Sequence, residues 1–153
     1  MADVGTITVA LKFGIKARPK AVWSALINDM DEWWHDSFYV TPKPHRITLE
    51  AHAGGRMFET SDSGSELLWY TVIGVEPAKS ITLSGHFSPP YGGPASTILH
   101  IDLEEMGPDV TRMHLTESSY GCISGDTEKR LREGWTMLIQ DGLIPFLEVK
   151  QHS

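Results

Sequence analysis

Hydrophobic and polar residues alternate near the start of the chain and follow a helical spacing near its end. Apolar side chains occupy every second position from Ile7 to Ala17, which predicts a strand with one buried face over residues 7–17. Over residues 126–150, steps of three and four predict one long helix with an apolar stripe of Leu131, Trp135, Leu138, Gly142, Phe146 and Val149. Such a helix must cover a sheet, and a curved sheet leaves room beneath it for an apolar ligand.

The segment between these two elements is predicted to form two short helices and six further strands. The helices begin at Pro19 and Met30, and Gly-, Pro- and Ser-rich turns separate strands at 46–51, 56–60, 66–76, 80–87, 95–104 and 110–118. Short turns between successive strands imply antiparallel pairing. We therefore expect an α+β fold: a curved antiparallel sheet of about seven strands wrapped on a long C-terminal helix, with two short helices after strand one. Asp126 is a candidate N-cap, and Pro145 predicts a kink.

The last hairpin can be given a register from its alternation. Pairing Leu103 with Thr111 places Leu99 and Leu115 together on the buried face. The same register sets Asp102 opposite Arg112, as an exposed ion pair, and His100 opposite His114. Two adjacent histidines could bind a metal, but structural zinc needs three or four ligands. A solvated ladder of polar side chains is the favoured interpretation, and no metal site is predicted.

Composition narrows the classes of partner. The formal net charge is −7, and no cluster of Lys and Arg of the kind that binds nucleic acid or an anionic membrane stands out. No apolar run approaches the length of a membrane span, and the first residues lack the pattern of a signal peptide. Cys122 is the only cysteine, which excludes an internal disulfide and fits a reducing compartment. We expect a single domain over residues 1–153, located in the cytoplasm.

Several short motifs together resemble one superfamily. They are GGRMFE at 54–59, DSGSE at 62–66, Trp69, VEP at 75–77, the pair Trp33 and Trp34, and Gly134-Trp135 with Leu138. In this combination and order the chain resembles the START-like (SRPBCC) superfamily, which has a helix-grip fold, and within it the branch related to activators of the Hsp-90 ATPase. The resemblance covers nearly the whole chain. It implies a hydrophobic cavity between the sheet and the C-terminal helix.

What the resemblance implies for function is binding of a small hydrophobic or aromatic molecule, lipid-like or polyketide-like, without a cofactor. Two alternatives stay open: a polyketide cyclase, aromatase or hydrolase that uses the same cavity, and a chaperone-linked or homodimeric interaction module. We predict the ligand-binding residues from the fold that the resemblance implies and from the alternation of apolar and polar positions. They are Phe58, Trp69, Phe87, Tyr91, Leu99, Met113, Leu115, Glu117, Trp135, Leu138, Ile139 and Gly142. The aromatic members could equally fill the core.

Glu117 is the weak candidate for catalysis. Similar sequences often place a His at this point, and parity with Met113 and Leu115 directs Glu117 inward. One interpretation is a carboxylate that faces the cavity, with a raised pKa, as an acid or base. The other places it at the rim, in water or paired with Arg56, and the cost of burying an unpaired carboxylate favours this second interpretation. Since GxSxG, HExxH and CxxC motifs are missing, a binding protein is favoured over an enzyme.

Overall fold

A computed structural model describes residues 4–151 and shows seven strands followed by a long helical segment. The strands are β1 Val4–Ile15, β2 His45–Leu49, β3 Arg56–Ser61, β4 Glu66–Glu76, β5 Ser80–Phe87, β6 Ala95–Gly107 and β7 Val110–Cys122. The helices are α1 Pro19–Asn28, α2 Met30–Trp33, α3 Gly125–Leu138 and α4 Ile144–Gln151, with a π-helical turn at Ile139–Leu143 and 3-10 turns at Asp36–Phe38 and Pro89–Tyr91. This is the predicted order of elements.

All seven strands form one antiparallel sheet in the order β1-β7-β6-β5-β4-β3-β2. Apart from β1, each strand pairs with the one that follows it in the chain, as short turns require. Bulges between Met57 and Phe58, Val72 and Gly74, and Glu105 and Gly107 interrupt the pairing and bend the sheet. The predicted α+β class, with a curved sheet around a C-terminal helix and short helices after β1, is confirmed.

The buried core lies between the concave face of the sheet and the helices. The sheet supplies the inward-facing residues of alternating pairs, among them Phe13, Leu99 and Met113. The C-terminal helical segment supplies Trp135, Leu138, Ile139, Leu143 and Leu147. Trp135 and Leu138 belong to the predicted apolar stripe. Beyond them the prediction is wrong by one position: Ile139, Leu143 and Leu147 are buried, whereas Gly142 and Phe146 are only partly buried and Val149 is exposed. The π-helical turn at Ile139–Leu143 shifts the buried face, because it holds more residues per turn than an α-helix. None of the helices in residues 4–151 is long and apolar enough to cross a membrane.

The predicted register of the last hairpin is wrong by two residues. Leu103 pairs with Met113, not with Thr111, because Gly107 pairs with Val110 and only Pro108 and Asp109 remain in the turn. A shift of two preserves parity, so the predicted buried face is correct. The polar partners change, however. His100 lies opposite Thr116, and Arg112 is 3.8 Å from Glu104 instead of meeting Asp102.

The C-terminal helical segment begins at a different residue from the one predicted, and it contains a π-helical turn. Ser124, not Asp126, precedes the first helical residue, and its N–H donates to Thr127 Oγ1 at 3.2 Å. Just before Pro145, where a kink was predicted, the structure has the π-helical turn at Ile139–Leu143, after which the N–H of Ile144 bonds to the carbonyl of Ile139. Pro145, directly after this turn, has no N–H to continue the α-helical pattern.

Candidate functional site

A cavity of about 250 Å³ opens between the sheet and α3. Strands β4, β5 and β6 form one wall, α3 forms the opposite wall, and the segments around residues 34–40 and 86–92 complete the lining. Its lining residues are Trp34, Phe38, Val40, Leu67, Leu68, Trp69, Tyr70, His86, Phe87, Ser88, Tyr91, Gly92, Thr97, Thr127, Arg130, Leu131, Gly134, Trp135 and Leu138. Most of these are apolar or aromatic, as in a site for a small organic molecule.

Trp34 lies at the centre of an aromatic cluster in the wall. Its ring centroid is 5.7 Å from that of Trp69, 6.2 Å from Trp135 and 6.5 Å from Phe38, and each contact is edge-to-face. These distances and angles are the ones that aromatic rings prefer. Trp33, its neighbour, donates its indole N–H to the carbonyl of Ala25 at 2.9 Å and belongs to the core. Both tryptophans of the pair are therefore buried, and Trp34 is the one that lines the cavity.

Glu117 is fully buried behind this wall. Tyr70 and Thr97 donate their hydroxyls to Glu117 Oε2, each at 2.7 Å, and Trp135 donates its indole N–H to Oε1 at 2.7 Å. The rim interpretation, which the sequence favoured, is wrong, because β7 continues to Cys122 and places Glu117 between Val9 and Leu99. Arg56 pairs with Glu50 at 3.0 Å instead. Three short hydrogen bonds offset the desolvation of the carboxylate, which is why burial is tolerated.

A second carboxylate, Glu59, is buried in the same manner. Its Oε1 accepts the backbone N–H groups of Val40 at 2.8 Å and Thr41 at 2.6 Å. Its Oε2 accepts the indole N–H of Trp69 at 2.8 Å. All three partners can only donate, so both Glu59 oxygens act as acceptors in this arrangement. Glu59 thus fixes the segment around residues 40–41 against β3 and orients Trp69 of β4 at the cavity.

The Tyr70 hydroxyl stays protonated in this setting. Burial and the nearby Glu117 carboxylate raise the pKa of Tyr70 well above its usual value of 10.0. A protonated phenol is the donor that Glu117 requires. Tyr70, Trp69 and Trp135 therefore all direct their polar groups at buried carboxylates and leave ring surface for the cavity.

The predicted ligand-binding residues divide into two groups. Trp69, Phe87, Tyr91, Trp135 and Leu138 line the cavity. The remainder do not. Leu99, Met113, Leu115 and Ile139 are buried in the core, and Glu117 lies behind the wall.

Phe58 and Gly142 also lie away from the lining. The Phe58 ring is covered by the Arg56 guanidinium at 4.2 Å. A Cβ at Gly142 would lie 2.5 Å from the carbonyl oxygen of Trp33, so this glycine gives close packing against α2 and leaves no cavity space. The predicted placement of Gly142 at the cavity is therefore wrong, because this residue packs against Trp33.

Sequence reasoning missed Glu59 and Arg130. Glu59 shares the inward parity of Met57 along β3, and this signal could have identified it. Arg130 lies one residue before Leu131 of the apolar stripe and has no such signal. Across the described part of the chain, no group of three His, Cys, Asp or Glu side chains is arranged to hold a metal ion.

The chain is similar to several solved structures in its fold. No protein-family model and no curated protein matches it. A crystal structure of a protein from Mesorhizobium loti matches with a TM-score of 0.68 and 18% identity, over 94% of this chain and 98% of that one. An uncharacterized protein from Rhizobium leguminosarum matches with a TM-score of 0.67 and 18% identity, over 97% and 98%.

A further similar structure is CalU16 from Micromonospora echinospora. Its TM-score is 0.64 with 16% identity, over 96% of this chain and 84% of that one. Identities this low carry the fold and not the activity. The seven-stranded antiparallel sheet and the C-terminal helix, together with these neighbours, fit a helix-grip fold.

Proposed function

We propose that this chain is a START-like (SRPBCC) binding protein for a small hydrophobic or aromatic molecule, held in the cavity between the sheet and α3. The observation that carries the proposal is the orientation of the wall. Trp69, Tyr70 and Trp135 line the cavity while their polar groups bond to Glu59 and Glu117. The carboxylates thereby hold aromatic surface at the cavity without exposing charge to it.

The size and lining of the cavity define the ligand class. A volume of about 250 Å³ lies just below the range of drug-sized sites, and this suits a molecule of one or two fused rings. Each Å² of apolar surface that such a molecule buries contributes about 25 cal/mol. Offset and edge-to-face contacts with the surrounding rings add to this contribution.

The same geometry disfavours the enzymatic alternative. Glu117 is outside the cavity lining, and three donors already occupy its oxygens. A general base must reach the proton that it removes, directly or through one water. Glu117 therefore acts as a positioning residue for Tyr70 and Trp135. The interaction-module alternative has no specific support from the described residues.

Isothermal titration with 2-naphthamide, a neutral two-ring probe, tests the proposal. In Gly134→Leu, a side chain enters the cavity from α3 near Phe38 and competes with the probe. A steric cost of about 1–3 kcal/mol predicts that affinity falls about five- to 150-fold. Glu133→Leu adds the same side chain at the neighbouring exposed position and is the matched control.

The proposal expects measurable binding to the wild type and to Glu133→Leu, and weak or undetectable binding to Gly134→Leu. Circular dichroism establishes that all three proteins are folded. Absence of binding to the wild type, or equal binding to all three, would contradict the proposal.

A further inference from the structure

Arg130 is a cation at the cavity that makes no ion pair within residues 4–149. Asp126 and Glu133 lie four residues before and three residues after it on α3, both within helical reach. Arg132 on the same helix does pair, with Glu128 at 3.6 Å. Arg130 instead extends over the loop after β5 and lies close to Gly92. If Gly92 carried a side chain, its Cβ would lie only 2.9 Å from Arg130 Nη2. An unpaired guanidinium is thus held at the cavity of a chain whose net charge is −7.

Some side chains at the cavity carry N–H donors that have no acceptor within residues 4–149. Within residues 4–149, the buried indole N–H of Trp34 has no hydrogen-bond partner, and the Arg130 guanidinium makes no side-chain hydrogen bond or ion pair. Both can only donate. The two carboxylates behind the wall are occupied by six donors in total, three on Glu59 and three on Glu117. His86 and Ser88, also at the cavity, can donate or accept.

The positions of the charged side chains determine how a negatively charged ligand would be oriented in the cavity. An anion deep in the cavity would approach the buried Glu59 and Glu117 and be repelled. An anion beside the exposed Arg130 would meet an uncompensated positive charge, and a guanidinium matches a carboxylate with two parallel hydrogen bonds. The favoured arrangement has an apolar body inside and an acid group outside.

We infer that the ligand is a small organic acid with a planar apolar body, whose carboxylate meets Arg130 at the mouth. This inference rests on the proposed function and specifies its ligand class. Arg130 is then a specificity residue: it selects the acid over the corresponding neutral molecule. Its exposure limits the gain, because water and salt screen exposed ion pairs.

A comparison of 2-naphthoate with 2-naphthamide by isothermal titration tests this inference. The two probes share the naphthalene body and differ in charge. At low salt we expect the wild type to prefer the acid about three- to fivefold, the range of a partly exposed ion pair. Arg130→Gln should bring that ratio to about one. The matched control Arg132→Gln removes the same charge from the same helix and should retain the preference.

The outcomes separate the inference from the proposed function. If the amide binds but the wild type does not prefer the acid, or if Arg130→Gln retains the preference, the ligand-class inference is overturned and the cavity proposal stands. If neither probe binds the folded wild type, both are overturned. Loss of the preference at about 0.5 M salt in the wild type would support a charge interaction at an exposed site.

Discussion

Two buried glutamates organise the candidate site, and each does so through a tryptophan. Glu59 holds Trp69 and Glu117 holds Trp135 by indole N–H bonds of 2.8 and 2.7 Å. Trp34 packs against both indoles edge-to-face. A carboxylate without a cation is costly to bury, but several short, charge-assisted hydrogen bonds offset that cost. The two glutamates therefore orient the aromatic side chains of the cavity wall, while remaining outside the cavity lining.

Replacement of Glu117 should be strongly destabilising. Glu117→Ala leaves the Trp135 indole N–H and the Tyr70 hydroxyl without an acceptor in a buried site, whereas Thr97 keeps its contact with Ser119 Oγ at 2.8 Å. Each unsatisfied group costs about 1–3 kcal/mol, so we expect the free energy of unfolding to fall by at least about 2 kcal/mol. Urea denaturation measures this change.

Glu105→Ala, at an exposed position on β6, is the control and should change stability by less than about 0.5 kcal/mol. Equal stabilities for Glu117→Ala and the wild type would show that the three hydrogen bonds do not hold the site together.

At the scale of elements, the C-terminal helical segment combines two roles in one stretch of chain. Its first part, α3, lines the cavity with Leu131, Trp135 and Leu138. The π-helical turn at Ile139–Leu143 follows, and there Gly142 comes close to Trp33 of α2. This contact fixes α2, and with it Trp34, relative to α3. The turn before Pro145 therefore belongs to the support of the site.

Substitution at Gly142 should weaken that support. In Gly142→Ala the added Cβ would lie 2.5 Å from the Trp33 carbonyl oxygen, which cannot yield without moving backbone. Overpacking of this kind costs about 1–3 kcal/mol, against up to about 1 kcal/mol that alanine gains over glycine in a helix. We expect a lower midpoint in urea denaturation.

The matched control is Gly125→Ala, at the start of α3, where nothing lies within 4 Å of the added Cβ. It should leave stability unchanged or raise it by up to about 1 kcal/mol. A Gly142→Ala protein as stable as Gly125→Ala would refute the close packing of α2 against the π-helical turn.

The elements were predictable where the hydrophobic pattern is regular. The limits of β4 and β5 match those predicted, since each strand lies between clear turn residues. The β6–β7 register could not be predicted, because the alternation determines which residues share a face but not the length of the turn at Pro108 and Asp109. The aromatic wall was partly predictable, through Trp69 and Trp135. The hydrogen bonds from distant residues to Glu59 and Glu117 were not, because they depend on tertiary contacts that no local spacing encodes.

On the scale of the whole molecule, a cavity lies between the curved sheet and α3, and large aromatic residues that pack against one another form its wall. The sheet bends at three bulges, and the terminal helical segment packs its apolar stripe into the concave face. Between them, the aromatic wall and the mouth at Tyr91 and Arg130 form a site open to small molecules. We propose that a small aromatic molecule binds there.

Nuclear magnetic resonance of the tryptophan indole groups tests this claim most directly. The chain has five tryptophans, of which Trp34, Trp69 and Trp135 line the cavity, whereas Trp23 is buried elsewhere in the core. Nitrogen-15 spectra, assigned with single Trp→Phe variants, are recorded during titration with 2-naphthamide. We predict saturable shifts of the Trp34, Trp69 and Trp135 indole signals with a common dissociation constant, and little change at Trp23. Unchanged cavity signals at saturating probe, or shifts confined to Trp23, would contradict the account.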